Sequence, residues 1–134
     1  MAVSPNFAAT PRLGITAIST ANINREGTGT LGAVLTAGTS GSRIDSIVIQ
    51  AAATTTAGMV RLFIHVGTNA RLYDEVPVIP VTPGASAPAW SVALGNNAPL
   101  SSGRYPLMLP TGFSLRASTH NAEAFSIHAI EGDF

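Results

Sequence analysis

The sequence predicts an all-β fold: a single-domain antiparallel β-sandwich, jelly-roll-like, with an extended N-terminal arm. Three observations lead there. Apolar residues recur at every second position in about nine short runs, the spacing that turns one face of a strand inward. Clusters of Gly, Pro, Asn, Ser and Thr separate those runs at regular intervals, as turns between strands do. No run holds helical spacing over a helix's length, and 134 residues suffice for one core without covalent staples.

Residues 1–12 contain Pro5 and Pro11, one large apolar side chain (Phe7) and no period. Proline at this density fixes φ and removes donors, so the segment reads as an extended arm ahead of a domain spanning 13–134. The arm is either disordered or anchored on a neighbouring subunit through Phe7. Leu13, Ile15 and Ala17 then alternate as a first strand. Residues 19–29 are polar and Gly-rich, a loop. Leu31, Ala33, Leu35 and Ala37 mark a second strand, and the cluster 38–42, GTSGS, a turn. A third strand covers 43–51, with Ile47 and Ile49 inward, and 52–57 leads to the central element.

That element is 58–78, GMVRLFIHVGTNARLYDEVPV. Val60, Leu62, Ile64 and Val66 share one face, with Met59, Arg61, Phe63 and His65 on the other. Gly67-Thr68-Asn69 supplies residues that tolerate positive φ in a tight reversal. Leu72, Asp74, Val76 and Val78 continue on the return strand. Asp74 interrupts the apolar row, which predicts a bulge or an edge position. Pro77 and the β-branched residues exclude a helix.

Pro80, Pro83, Gly84 and Pro88 keep the next segment irregular. Trp90, Val92 and Leu94 form a strand, 95–104 is turn-rich, and 105–109 is short and extended. Pro110-Thr111-Gly112 suits a type II turn. Phe113, Leu115, Ala117 and Thr119 form one more strand, residues 120–123 turn, and Phe125, Ile127 and Ala129 close the set.

Charged residues are 10% of the chain, against roughly 25% in soluble domains generally. A chain so poor in charge is expected to cover part of its surface with other protein. Formal net charge is zero, which argues against nucleic acid as a partner. All seven basic residues are arginine, a preference that either suits interfaces or reflects compositional bias. With no cysteine, thiolate metal sites are excluded. No apolar run is long enough to span a membrane, and the N-terminus lacks the regions of a signal peptide.

The search for chemistry is negative. Residues 27–32, GTGTLG, match G-x-G-x-x-G with Asp45 downstream, but no strand enters the glycines and no helix leaves them, so the segment is a loop. His65, His120 and His128 lack the spacing of a zinc site. A three-fold axis would triplicate one histidine, yet His65 reads more plainly as a surface or interface group. No G-x-S-x-G is present. Asp74 and Glu75 are strand neighbours on opposite faces, not a catalytic pair. Trp90 and Phe113 fall at positions that alternation turns inward, as core rather than as sugar-stacking platforms. No enzyme and no cofactor are expected.

The phrases PNFAATPR, STANINREGTGT, GMVRLFIH and LPTGFSLRASTHNAEAF resemble a group of small virion or head-associated proteins of tailed bacteriophages. The turn phrase LPTGFSL is similar to a reversal common in viral β-sandwiches. The resemblance implies a structural virion protein located on the outer surface of the phage head and assembled in the host cytoplasm. By analogy it serves as a capsid decoration (cement) subunit that bridges capsomers of the major capsid protein, as a homo-oligomer and by expectation a trimer. The expected interface comprises Val3, Pro5, Phe7, Pro11 and Arg12 of the arm with Arg61 and His65 of the hairpin. The alternative is a tail, baseplate or fibre module binding host receptor or glycan. It requires an exposed aromatic cluster, for which Tyr73, Trp90 and Tyr105 are the candidates.

Overall fold

A computed structural model of the chain describes residues 9–95 and 104–134. Val3, Pro5 and Phe7 lie outside the described residues. Strands β1 (Thr10–Ile18), β2 (Gly32–Thr36) and β3 (Ser42–Ala51) precede the hairpin of β4 (Gly58–Val66) and β5 (Asn69–Val78). The set closes with β6 (Ser91–Gly95), β7 (Leu107–Leu109), β8 (Phe113–Thr119) and β9 (Phe125–Asp133). Each run of alternation read in the sequence has become a strand, and the described residues contain no helix.

The strands form two antiparallel sheets. One is ordered β1-β9-β3-β6, with β7 also pairing β3, and the other β2-β8-β4-β5. Leaving β7 aside, the pairing is nested: first strand with last, β2 with β8, β3 with β6, β4 with β5. The chain is one long hairpin folded over on itself. The core lies between the sheets, where Ile44, Ile47, Ile49, Ile127 and Ala129 meet Val60, Leu62, Leu115 and Ala117, all without solvent exposure. The result is an all-β sandwich.

The hairpin forms as the sequence predicts. Val66 pairs Asn69, leaving Gly67-Thr68 as a two-residue loop, and Gly67 takes a φ of 61°. The break at Asp74 satisfies both expectations. Strand β5 is a sheet edge, and the partners Leu62↔Asp74 and Phe63↔Leu72 leave Tyr73 as an extra residue, a bulge. Gly112 adopts a φ of 86°, and the Phe113 N–H donates to the Pro110 carbonyl at 3.1 Å. Pro110 therefore occupies the first turn position, not the second. Trp90 packs edge-on against Phe125, rings 5.8 Å apart, inside the core.

Three local features depart from the alternation read in the sequence. Strand β1 begins at Thr10, so Pro11 and Arg12, assigned to the arm, are already paired with Gly132 and Glu131. Proline is tolerated there because β1 is an edge. Second, Leu13 and Ile15 face solvent, at 56% and 57% exposure. Gly14, Thr16 and Ile18 face the other sheet instead, because β2 crosses so close that a Cβ on Gly14 would lie 2.6 Å from the Val34 carbonyl oxygen. Third, a register shift between Ala33 and Leu35 buries Val34 and Leu35 together, which reverses the inward parity partway along β2.

Candidate functional site

The described part of the expected interface begins with Pro11 and Arg12 on β1, and the Arg12 side chain ties the start of that strand to the body. Its Nε lies 3.2 Å from Glu131 Oε1. Its Nη1 donates to both Asp133 oxygens, at 3.0 and 3.1 Å, and to the Thr36 carbonyl at 3.3 Å. Glu131 and Asp133 are two apart on β9, so alternation puts both on the side facing the second sheet. Ser42 completes the cluster. Its hydroxyl donates to Asp133 Oδ1 at 2.6 Å and accepts the Gly38 N–H at 2.9 Å.

The two carboxylates respond in opposite directions. Burial pushes the Glu131 carboxyl above its usual range, with Arg12 countering and Asp133 reinforcing the rise. Neither Glu131 oxygen has a well-aligned hydrogen bond, so the Arg12 ion pair is the main support for its charge. The Ser42 hydroxyl, followed by the Arg12 guanidinium, holds Asp133 below its usual range. This cluster fastens the start of β1 to the end of β9. Pro11 is exposed beside it on β1.

Arg61 requires a correction. Sequence alternation places it on the outer face of β4 as an interface residue; it is on that face but only 1% exposed. The loop 19–31 folds over the sheet at this point. Its Ala21 forms a parallel bridge with Thr119, and the Asn22 N–H donates to the Thr119 carbonyl at 2.8 Å. Beneath the loop, Arg61 donates to Glu75 Oε2 at 3.0 Å and to the Asn22 carbonyl at 3.3 Å, and meets His120 Nδ1 at 3.3 Å. Guanidinium has no acceptor, so that histidine nitrogen accepts. Arg25 joins the network through Glu75 at 2.8 Å. Partial burial works to raise Glu75, but hydrogen bonds from Arg25 and Arg61 outweigh it and hold the carboxyl below its usual range. Arg61 organises the interior of a covered face; it cannot reach a partner.

The same loop contains the G-x-G-x-x-G match, and its glycines serve the fold. Gly27 and Gly29 take φ of 89° and 81°, while Asn22 Nδ2 donates to the Thr28 and Thr30 carbonyls at 2.9 and 3.0 Å. A buried asparagine tying three backbone segments together was not singled out in the sequence. The only signal for it is an Asn at the entrance to a Gly-rich run, a pattern shared with ordinary turns.

His65 stands half-buried on β4 near the hairpin turn, beside Ala70 and Ser114 in register. His128 lies on the other sheet, in β9. Among the described residues no three His, Asp or Glu side chains gather as a metal site. Asp74 and Glu75 are committed to different arginines, Asp74 to Arg104 at 3.1 Å and Glu75 to Arg61 and Arg25. Trp90 and Tyr105 are buried. Tyr105 donates to Asp74 Oδ2 at 3.3 Å, and burial beside that carboxylate drives its phenol far above the usual range. Tyr73 packs edge-on to Tyr105 at 6.0 Å, with its hydroxyl donating to the Arg104 carbonyl. Tyr73, Trp90 and Tyr105 thus present no joint exposed platform.

The outer face of the five-stranded sheet differs in kind. Register across it aligns four rows: Pro11, Gly132, Arg43, Met108; Leu13, Ile130, Ser46, Gly95; Ile15, His128, Val48, Ala93; and Ala17, Ser126, Gln50, Ser91. Leu13, Ile15, Ile130 and Met108 are each about half exposed. Its charges, Arg43 and Asp45, pair with each other at 2.8 Å. Compared with known protein families, with curated proteins and with solved structures, the chain matches none.

Proposed function

We propose that the protein is a structural virion component of a tailed bacteriophage: a homo-oligomeric decoration subunit on the outer surface of the head, bridging capsomers of the major capsid protein. The observation that carries this reading is the nested strand order, β1-β9-β3-β6 against β2-β8-β4-β5. That winding is the one expected of a jelly roll, an architecture recurrent in viral shells. Fold alone does not assign function, so two further features matter. Charge is scarce at 10% of residues, and among the described residues Leu13, Ile15, Met108 and Ile130 expose large apolar side chains on one sheet face.

The arm fits the role mechanically. Arg12 fixes the start of β1 to Glu131 and Asp133, so a partner bound by residues 1–8 would be coupled to a firmly held strand. Eight residues fully extended reach at most about 28 Å, enough to cross a subunit seam. Ordering such a segment costs conformational entropy, offset on docking by burial of Phe7 and Val3. The receptor- or glycan-binding alternative has less support, since its three candidate aromatics form no exposed cluster.

The test is removal of residues 1–8, which preserves the Ala9 N–H bond to the Asp133 carbonyl and the Arg12 clasp. The shortened chain is expected to keep its β-type circular dichroism and thermal midpoint while losing occupancy on purified heads. Undiminished occupancy removes the arm from the mechanism.

A further inference from the structure

We propose that the outer face of the five-stranded sheet is a self-association surface, covered by the same face of a second copy of this chain. This rests on the homo-oligomer part of the reading above, sets a two-fold pair in place of the trimer expected from the sequence, and stands whether or not the oligomer sits on a phage head. The first argument is the inversion in β1. In β8 and β9 the sequence alternation marks the buried face, whereas in β1 it marks an exposed one. Among the described residues, four of the seven exposed large apolar side chains, Leu13, Ile15, Met108 and Ile130, fall on this face. Clustered exposure of that kind marks an interaction surface.

The second argument is charge. Arg43 and Asp45 neutralise one another across 2.8 Å, so a copy laid on this face meets no net charge of its own sign. A strongly charged partner gains nothing there, while a second copy is electrostatically matched.

The third is shape. The large side chains Leu13 and Ile15 are on β1 at one margin, and the small residues Ser91, Ala93 and Gly95 are on β6 at the other. A two-fold axis in the interface plane, parallel to the strands between β9 and β3, lays β1 of each copy over β6 of its mate. Ile15 then faces Ala93, because both are in the row Ile15, His128, Val48, Ala93. Large residues meet small ones, and the contact closes on itself.

Edge-to-edge extension through β1 is the competing geometry, and Pro11 opposes it by removing a donor from that edge. Nine-residue strands in a layer four strands wide outline on the order of 600 Å². That area sits at the small end of specific interfaces, so association is expected in the micromolar range.

The experiment is sedimentation velocity of the full chain over a micromolar-to-submillimolar series, with Ile15→Arg and Ala93→Glu as variants. The native chain is expected to pass from monomer to dimer. Each variant is expected to weaken association at least tenfold, with unchanged circular dichroism and thermal midpoint. Mixing the two is expected to restore a dimer, because the new charges oppose each other across the axis. A native chain that stays monomeric, a trimer as the smallest oligomer, an unaffected Ile15→Arg variant or a mixture that does not recover each overturns the proposal. A monomeric chain that still occupies heads would do so while leaving the decoration reading in place.

Discussion

Two arginines hold this molecule together in different ways, and each makes a prediction. Arg61 is 1% exposed and satisfies a carboxylate, a backbone carbonyl and a histidine nitrogen at once. Truncation leaves the Asn22 carbonyl and His120 without that donor and Glu75 with Arg25 alone, so Arg61→Ala is expected to cost about 3 kcal/mol, read as a lowered urea midpoint. A variant as stable as the native chain would show that the loop 19–31 is held by Asn22 alone. Arg12 instead shares its charge between Glu131 and Asp133. Glu131, its carboxyl raised by burial, favours folding while protonated and loses that contribution as pH rises through the folded value. Asp133 and Glu75, held low, contribute above their unfolded values and lose it as pH falls through the folded ones. Acidifying from neutrality should therefore first gain Glu131's share. Glu131→Gln is expected to abolish that gain in the thermal midpoint while leaving the acid-side loss intact.

At the scale of elements, glycine positions separate turn chemistry from packing. Gly67 has open space around it but a φ of 61°, so Gly67→Ala is expected to cost only about 1 kcal/mol of left-handed strain. Gly14 has an ordinary φ but no room, so Gly14→Ala must part β1 from β2 and is expected to cost more; equal losses in denaturant titration would contradict that. Phe63 is fully buried on the outer side of β4, outside the main core cluster. Its truncation to Ala is expected to cost about 4 kcal/mol. These elements also show what the sequence could convey. Strand spacing, the Gly67 turn and the Asp74 bulge were legible because each is set by period and local turn chemistry. The burial of Arg61 was not, since alternation identifies a face but not what covers it. The outward direction of Leu13 and Ile15 was equally hidden, being decided by the approach of β2 rather than by anything in β1. Val34 escaped because a bulge changes parity without leaving a mark in composition.

For the whole molecule, the sparse charge and the apolar face support the same proposal, a chain whose surface is covered by its neighbours. The proposed association through the sheet face and the proposed shell contact through residues 1–8 are separable by experiment, since the face is built from β1, β9, β3 and β6 and removing residues 1–8 leaves those strands intact. The measurement that bears most directly on the central claim is electron cryo-microscopy of particles from a phage encoding this chain, with antibody labelling of the protein. A virion decoration subunit predicts many symmetric copies on the exterior of the head, seated between capsomers. Label confined to the tail, or particles without the protein, would contradict it.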